Sequence, residues 1–94
     1  MIRGFADSET ETIWSGRRSR RLPPDIQAVA LRKLRMLNQA RVLSDLQVPP
    51  GNRLESLKGD RAGLHSIRIN DQWRICFRWR DGGPSDVEIV DYHG

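Results

Sequence analysis

The chain has 94 residues, 37% apolar and 30% charged, the composition of a folded chain rather than a disordered one. At this length a single domain over residues 1–94, with a small core, is expected. One cysteine, Cys76, excludes an internal disulfide framework and a multi-cysteine metal site; with no apolar run of membrane-spanning length and no signal-peptide core in MIRGFADSETE, a soluble cytoplasmic protein is expected.

In chain order, residues 2–5 can form an edge strand. Ser8-Glu9-Thr10-Glu11 matches a capping box with Ser8 as N-cap, so a short helix should run through Ile13 and Trp14 and end near Gly16. RRSRR, residues 17–21, is a basic loop. Pro23-Pro24-Asp25 opens a second helix, whose apolar residues at 26, 29, 30, 34 and 37 repeat with a one-sided 3.6-residue period. Lys33 falls in that stripe, and its stem is expected to snorkel. Residues 42–46 can add one helical turn before VPPGN, 48–52, breaks regular structure.

Beyond that break the period becomes two. Residues 53–57 can form a short strand, and KGDRAG, 58–63, a loop. His65 to Ile69 and Trp73 to Arg80 read as two strands joined by a tight turn at Asn70-Asp71, and Val87 to Tyr92 as the last strand. Helices first and an antiparallel meander after them predict an α+β chain with helices on one face of the sheet and the other face open. Trp73, Ile75, Phe77 and Trp79 should face the helices. Arg74 and Arg78, with Arg68 from the neighbouring strand, should line the open face as an arginine platform. In the last strand Val87/Ile89 and Val90 compete for the core side.

The formal net charge is +4, and fourteen of the sixteen basic residues are arginine, with Lys33 and Lys58 the exceptions. Arginine grips phosphate through a planar fork, which favours a nucleic-acid partner. GC-rich codons would give the same excess.

There is no glycine-rich phosphate loop, no metal-ligand spacing and no GxSxG, so neither a cofactor nor a metal is expected. The remaining residues suit RNA, which carries its own nucleophile in the 2′-hydroxyl. Arg74, Arg68 and Lys58 could hold phosphate and stabilise a phosphorane. His93 could move a proton, Tyr92 could stack on a base, and Asp91 or Glu55 could act as a base or orient His93. The blander readings are a frayed terminal His93, a solvated arginine face, an ordinary strand tyrosine and simple turns at RRSRR and KGDR.

"PPGNRLESLKGDRAGLHSIRINDQWRICF" followed by a terminal "DYH" resembles the HigB branch, HigB- and GraT-like, of the RelE superfamily of toxins, with the match extending over nearly the whole chain. The resemblance implies a RelE-like α+β domain, two helices on a curved, mostly antiparallel sheet of four to five strands. It implies a ribosome-dependent mRNA endonuclease acting in the A site and leaving a cyclic or 3′-phosphate. Its partners would be the ribosome, mRNA and a small helix-turn-helix antitoxin of HigA type, with operator DNA bound mainly through the antitoxin; the toxin alone would be a monomer. Carried onto matching positions, the catalytic set is Lys58, Arg74, Asp91, Tyr92 and His93. Arg61, Arg68, Arg78 and Glu55 complete the expected RNA-contacting set, Arg68 from strand geometry alone. Some members place a histidine where this chain has Glu55, which leaves proton transfer open among His93, Glu55 and Asp91. Two other readings compete: a ribosome- or RNA-binding module that does not cut, and a co-repressor subunit of a DNA-bound complex.

Overall fold

The computed structural model describes residues 1–92, without the side chain of Arg61. The first helix, α1, spans Ser8–Trp14. Its N-cap is Asp7, not Ser8: Asp7 Oδ1 accepts the Thr10 N–H at 3.3 Å, so the cap lies one residue earlier than the capping-box reading. Gly16, at φ +85°, ends it in the left-handed region. The second helix, α2, spans Pro24–Gln39 and buries Ile26, Ala30, Leu34 and Leu37. Lys33 is buried with them rather than snorkelling. Its Nζ donates to Oδ1 of Asn52, in the short 3₁₀ turn Pro50–Asn52, because Asn52 is itself fully buried at the helix flank. The helical turn expected near 42–46 is a 3₁₀ segment, Leu43–Gln47.

Four strands follow: β1 (Glu55–Ser56), β2 (Leu64–Arg68), β3 (Trp73–Arg80) and β4 (Gly83–Asp91). They form one antiparallel sheet in sequence order. The β2–β3 turn is set by Asn70, whose Oδ1 accepts the N–H groups of Gln72 and Trp73 at 2.9 and 2.7 Å. The strand expected at 53–57 shrinks to two residues. The one expected at 2–5 is an isolated parallel bridge between Phe5 and Val87. There the N-terminal segment lies so close to β4 that a Cβ at Gly83 would sit 2.7 Å from the Met1 carbonyl oxygen.

Ile67, Ile75, Phe77, Val87 and Ile89 form the sheet side of the core and meet Ile13, Ile26, Ala30, Leu34, Leu37 and Leu46 from the helical side. Trp73 and Trp79 pack at its margin. A β-bulge decides the last strand. Cys76 pairs with Glu88 and Arg78 with Ser85, so two residues of β4, Asp86 and Val87, oppose Phe77. Val87 and Ile89 therefore point inward and Val90 falls on the open face. Among the described residues no helix is long and apolar enough to cross a membrane.

Candidate nucleic-acid interface

Strand register sorts the side chains. Arg74 pairs with Arg68 on one side and Val90 on the other, and Cys76 with Ser66 and Glu88. These residues share the face turned away from the helices, joined by Glu55, which pairs with Ser66. At the centre of this face is a concavity of about 230 Å³ lined by Leu64, Cys76, Glu88 and Val90.

Arg74 flanks the concavity but is not the solvated platform residue that strand alternation predicts. It is 8% exposed. Its Nε donates to Ser66 Oγ at 2.9 Å, and its Nη2 donates to the Arg53 carbonyl at 2.6 Å. Glu55 Oε1 stands 4.0 Å from the same Nη2. Tyr92 covers it: the guanidinium carbon lies 5.8 Å from the ring centroid, and the tyrosine hydroxyl is 3.6 Å from Cys76 Sγ. Each hydrogen bond from a charged donor contributes about 1.5–3 kcal/mol, enough to fix this guanidinium in one orientation.

Arg78 behaves differently. Its Nε is 3.6 Å from Asp86 Oδ2, and both side chains are substantially exposed. Such a pair is worth at most ~1 kcal/mol, so Arg78 can exchange Asp86 for a phosphate at little cost. The bulge that turns Val87 inward also sets Asp86 at φ 49° beside Arg78.

Lys58 is exposed in the loop between β1 and β2. Arg68 shares the face of Arg74, but its guanidinium is drawn aside to Asp71, three residues on in the turn. Asp91 pairs with Trp73 and accepts from Gln72 Nε2 at 3.1 Å. The expected roles of His93 and of the Arg61 side chain lie outside the described residues. The structure thus brings together Arg74, Tyr92 and Glu55, with Arg78 across the concavity. It adds Ser66, Cys76, Glu88 and the Arg53 carbonyl, which the sequence reading omits. Ser66 had a signal: alternation in LHSIR puts it on the face of Arg68.

On the helix side of the sheet, His65 lies against Phe77 with the rings tilted at 35°, centroids 5.9 Å apart, and pairs its Nδ1 with Ser56 Oγ at 3.0 Å. Burial there pushes its pKa below the ordinary histidine range. Burial, and secondarily Arg32 and Arg68, lowers that of Lys33.

A family profile described as "RelE-like toxin of type II toxin-antitoxin system HigB" matches residues 3–93. The chain belongs to the HigB family of RelE-like toxins. Toxin HigB-1 of Vibrio cholerae is 47% identical over 83 residues, 87% of each chain. Endoribonuclease HigB of Proteus vulgaris is 42% identical over 41 residues, 44% of this chain and 45% of that one. The fold is shared with a crystal structure of a YafQ mutant from E. coli, at a TM-score of 0.59 and 14% identity, covering 97% of this chain and 91% of that one. As a HigB-family toxin of a type II system, the chain has an antitoxin partner.

Proposed function

We propose that this HigB-family toxin is a ribosome-dependent endoribonuclease that cuts mRNA in the ribosomal A site and so inhibits translation and growth. The observation that carries this reading is the guanidinium of Arg74, held by Ser66 and Arg53 under the Tyr92 ring at the edge of the concavity. The concavity is smaller than the ~300–1,000 Å³ typical of small-molecule sites, so it suits one splayed base rather than a whole ligand. The message supplies the nucleophile. Its 2′-oxygen attacks the adjacent phosphorus as its proton passes to a carboxylate, and Glu88 is the carboxylate that lines the concavity. Arg74, with Lys58 brought from its loop, stabilises the charge on the five-coordinate phosphorus. The P–O5′ bond breaks, the 5′-oxygen takes up a proton, and a 2′,3′-cyclic phosphate remains. Tyr92 stacks on a base, and Arg78 holds a flanking phosphate.

In this reading the chain works as one cytoplasmic domain, a monomer until it meets a helix-turn-helix antitoxin of HigA type, through which the pair reaches operator DNA. The test maps new 5′ ends on a defined mRNA held by stalled ribosomes, with wild type, Tyr92→Ala and His93→Ala. Cuts confined to the A-site codon, lost in Tyr92→Ala and absent on free RNA, are expected. Ribosome binding without cuts at any enzyme excess would replace the nuclease with a binding module.

A further inference from the structure

Lys33 is out of character with its surroundings. It sits in the apolar stripe of α2, 7% exposed, where an aliphatic residue would pack without the cost of burying an ammonium. Its Nζ donates to Asn52 Oδ1, and Asn52 is fully buried with both ends of its amide in use. Asn52 Nδ2 donates to the carbonyls of Leu46 and Val48 at 3.2 and 3.4 Å, and the main-chain N–H to the Pro49 carbonyl at 2.9 Å. One side chain thus ties α2 to the 3₁₀ segment Leu43–Gln47 and to the 3₁₀ turn Pro50–Asn52. What a buried polar contact of this kind supplies, beyond little net stability, is the choice of one backbone conformation.

The conformation chosen is that of the next residue, Arg53, which is left-handed at φ 46° although it carries a Cβ. This backbone aims the Arg53 carbonyl at Arg74 Nη2, 2.6 Å away. The same Nη2 has a second acceptor nearby. Glu55 Oε1 stands 4.0 Å off, too far for a hydrogen bond, on a residue two along the chain from the carbonyl that holds the position. The two acceptors differ in charge. A neutral carbonyl leaves the guanidinium its positive charge. A carboxylate in direct contact would offset that charge and would have to be displaced before a phosphate could bind.

We infer that Lys33 and Asn52 are positioning residues for the reaction: they hold the Arg53 carbonyl on Arg74 Nη2 and so keep the Glu55 carboxylate from taking its place. For its effect on rate the inference rests on the nuclease reading. The geometry it asserts, a guanidinium whose orientation depends on a helix lysine, is independent of that reading.

The test compares wild type, Lys33→Met, Lys33→Met/Glu55→Gln and Arg53→Gly. The readouts are thermal unfolding, single-turnover cleavage on programmed ribosomes, and the side-chain nitrogen NMR signals of Arg74 in the free chain, assigned by their loss in Arg74→Lys. Methionine matches the lysine stem in length and replaces a buried charge with an apolar group, a change often neutral for stability, so Tm should stay within about 4 °C of wild type. Rate and stability should therefore part. In Lys33→Met, kcat should fall about thirty-fold with KM and ribosome binding nearly unchanged. The Arg74 guanidinium protons should exchange with solvent at least about ten-fold faster. With the competing carboxylate removed, the double variant should regain about ten-fold in kcat over Lys33→Met. Arg53→Gly loosens the same carbonyl from an exposed position without touching the core, and its kcat should fall about five-fold or more. It decides the matter if Lys33→Met does not fold. Wild-type kcat in folded Lys33→Met, or in Arg53→Gly where that variant decides, overturns the inference. So does a fall in kcat that Glu55→Gln does not relieve and that leaves the Arg74 signals unchanged, which would make Lys33 a structural residue only. If wild type itself does not cut, the nuclease reading fails, and unchanged Arg74 signals in Lys33→Met overturn the positioning inference separately.

Discussion

Arg74 Nη2 donates to the main-chain carbonyl of Arg53 at 2.6 Å, joining the open sheet face to the end of the 3₁₀ turn Pro50–Asn52. Arg53 sits in the left-handed region, at φ 46° and ψ 57°. What holds it there is the residue before it: buried Asn52 accepts from Lys33 Nζ and donates through Nδ2 to the Leu46 carbonyl at 3.2 Å. A helix lysine therefore supports Arg74 through two residues of a turn. Asn52→Ala removes these bonds and leaves a buried ammonium without its acceptor, at a cost of roughly 2–3 kcal/mol. Thermal unfolding should show a drop of about 8–24 °C at 4–8 °C per kcal/mol. A drop under about 4 °C would mean that the turn is held by other contacts.

Ser66 fixes the other edge of the same guanidinium. Ser66→Ala leaves the Arg74 Nε–H without its acceptor in a buried site, costing about 1–3 kcal/mol of stability. The rate should fall more than the binding, since the arginine keeps its charge but loses its aim. We expect kcat to drop ~10–100-fold with KM nearly unchanged, and Arg74→Lys, which cannot reproduce the fork, to drop ~10²–10³-fold. Single-turnover cleavage on programmed ribosomes separates the two parameters. A KM effect alone would make Arg74 a binding residue.

These two residues show what the sequence could and could not reveal. The period of two in NDQWRICFRWR was enough to put Ile75 and Phe77 in the core and Arg74 opposite them, because alternation is a local property. That Arg74 is buried was not legible, since its cover comes from Arg53, Ser66 and Tyr92, brought in by register and by an irregular turn. Val90 was ambiguous because the β4 bulge interrupts the period on which the reading depends. Lys33 reads as a snorkelling lysine because its partner, Asn52, lies nineteen residues away in a segment that reads as a break. Asp91 sits next to Tyr92 in sequence and pairs away from it in space, with Trp73 and Gln72.

His65 gives the fold a pH dependence. Burial lowers its pKa in the folded chain, so between that value and the unfolded value of about 6.5 the unfolded chain binds more protons. Stability therefore rises with pH through this window and falls on acidification below about pH 6.5. Urea unfolding at pH 7.5 and pH 5.5 should show a loss for wild type that is smaller in His65→Gln. Equal losses in both proteins would assign the acid sensitivity to another group.

The last prediction concerns the proton acceptor. Glu55 and Glu88 both lie on the open face. Glu55 stands 4.0 Å from Arg74 Nη2 at the β1 edge, while Glu88 lines the concavity opposite Cys76. A base has to reach the 2′-hydroxyl of a nucleotide seated in the concavity, and geometry favours Glu88. Removing a general base typically costs 10²–10⁴-fold, so Glu88→Gln should lower cleavage by at least ~100-fold while ribosome binding persists. Glu55→Gln removes a counter-charge from Arg74 and should change cleavage by less than about 10-fold. The reverse ranking, measured as single-turnover rates on one programmed ribosome complex, would move the base to the sheet edge and put the reacting phosphate between Arg74 and β1.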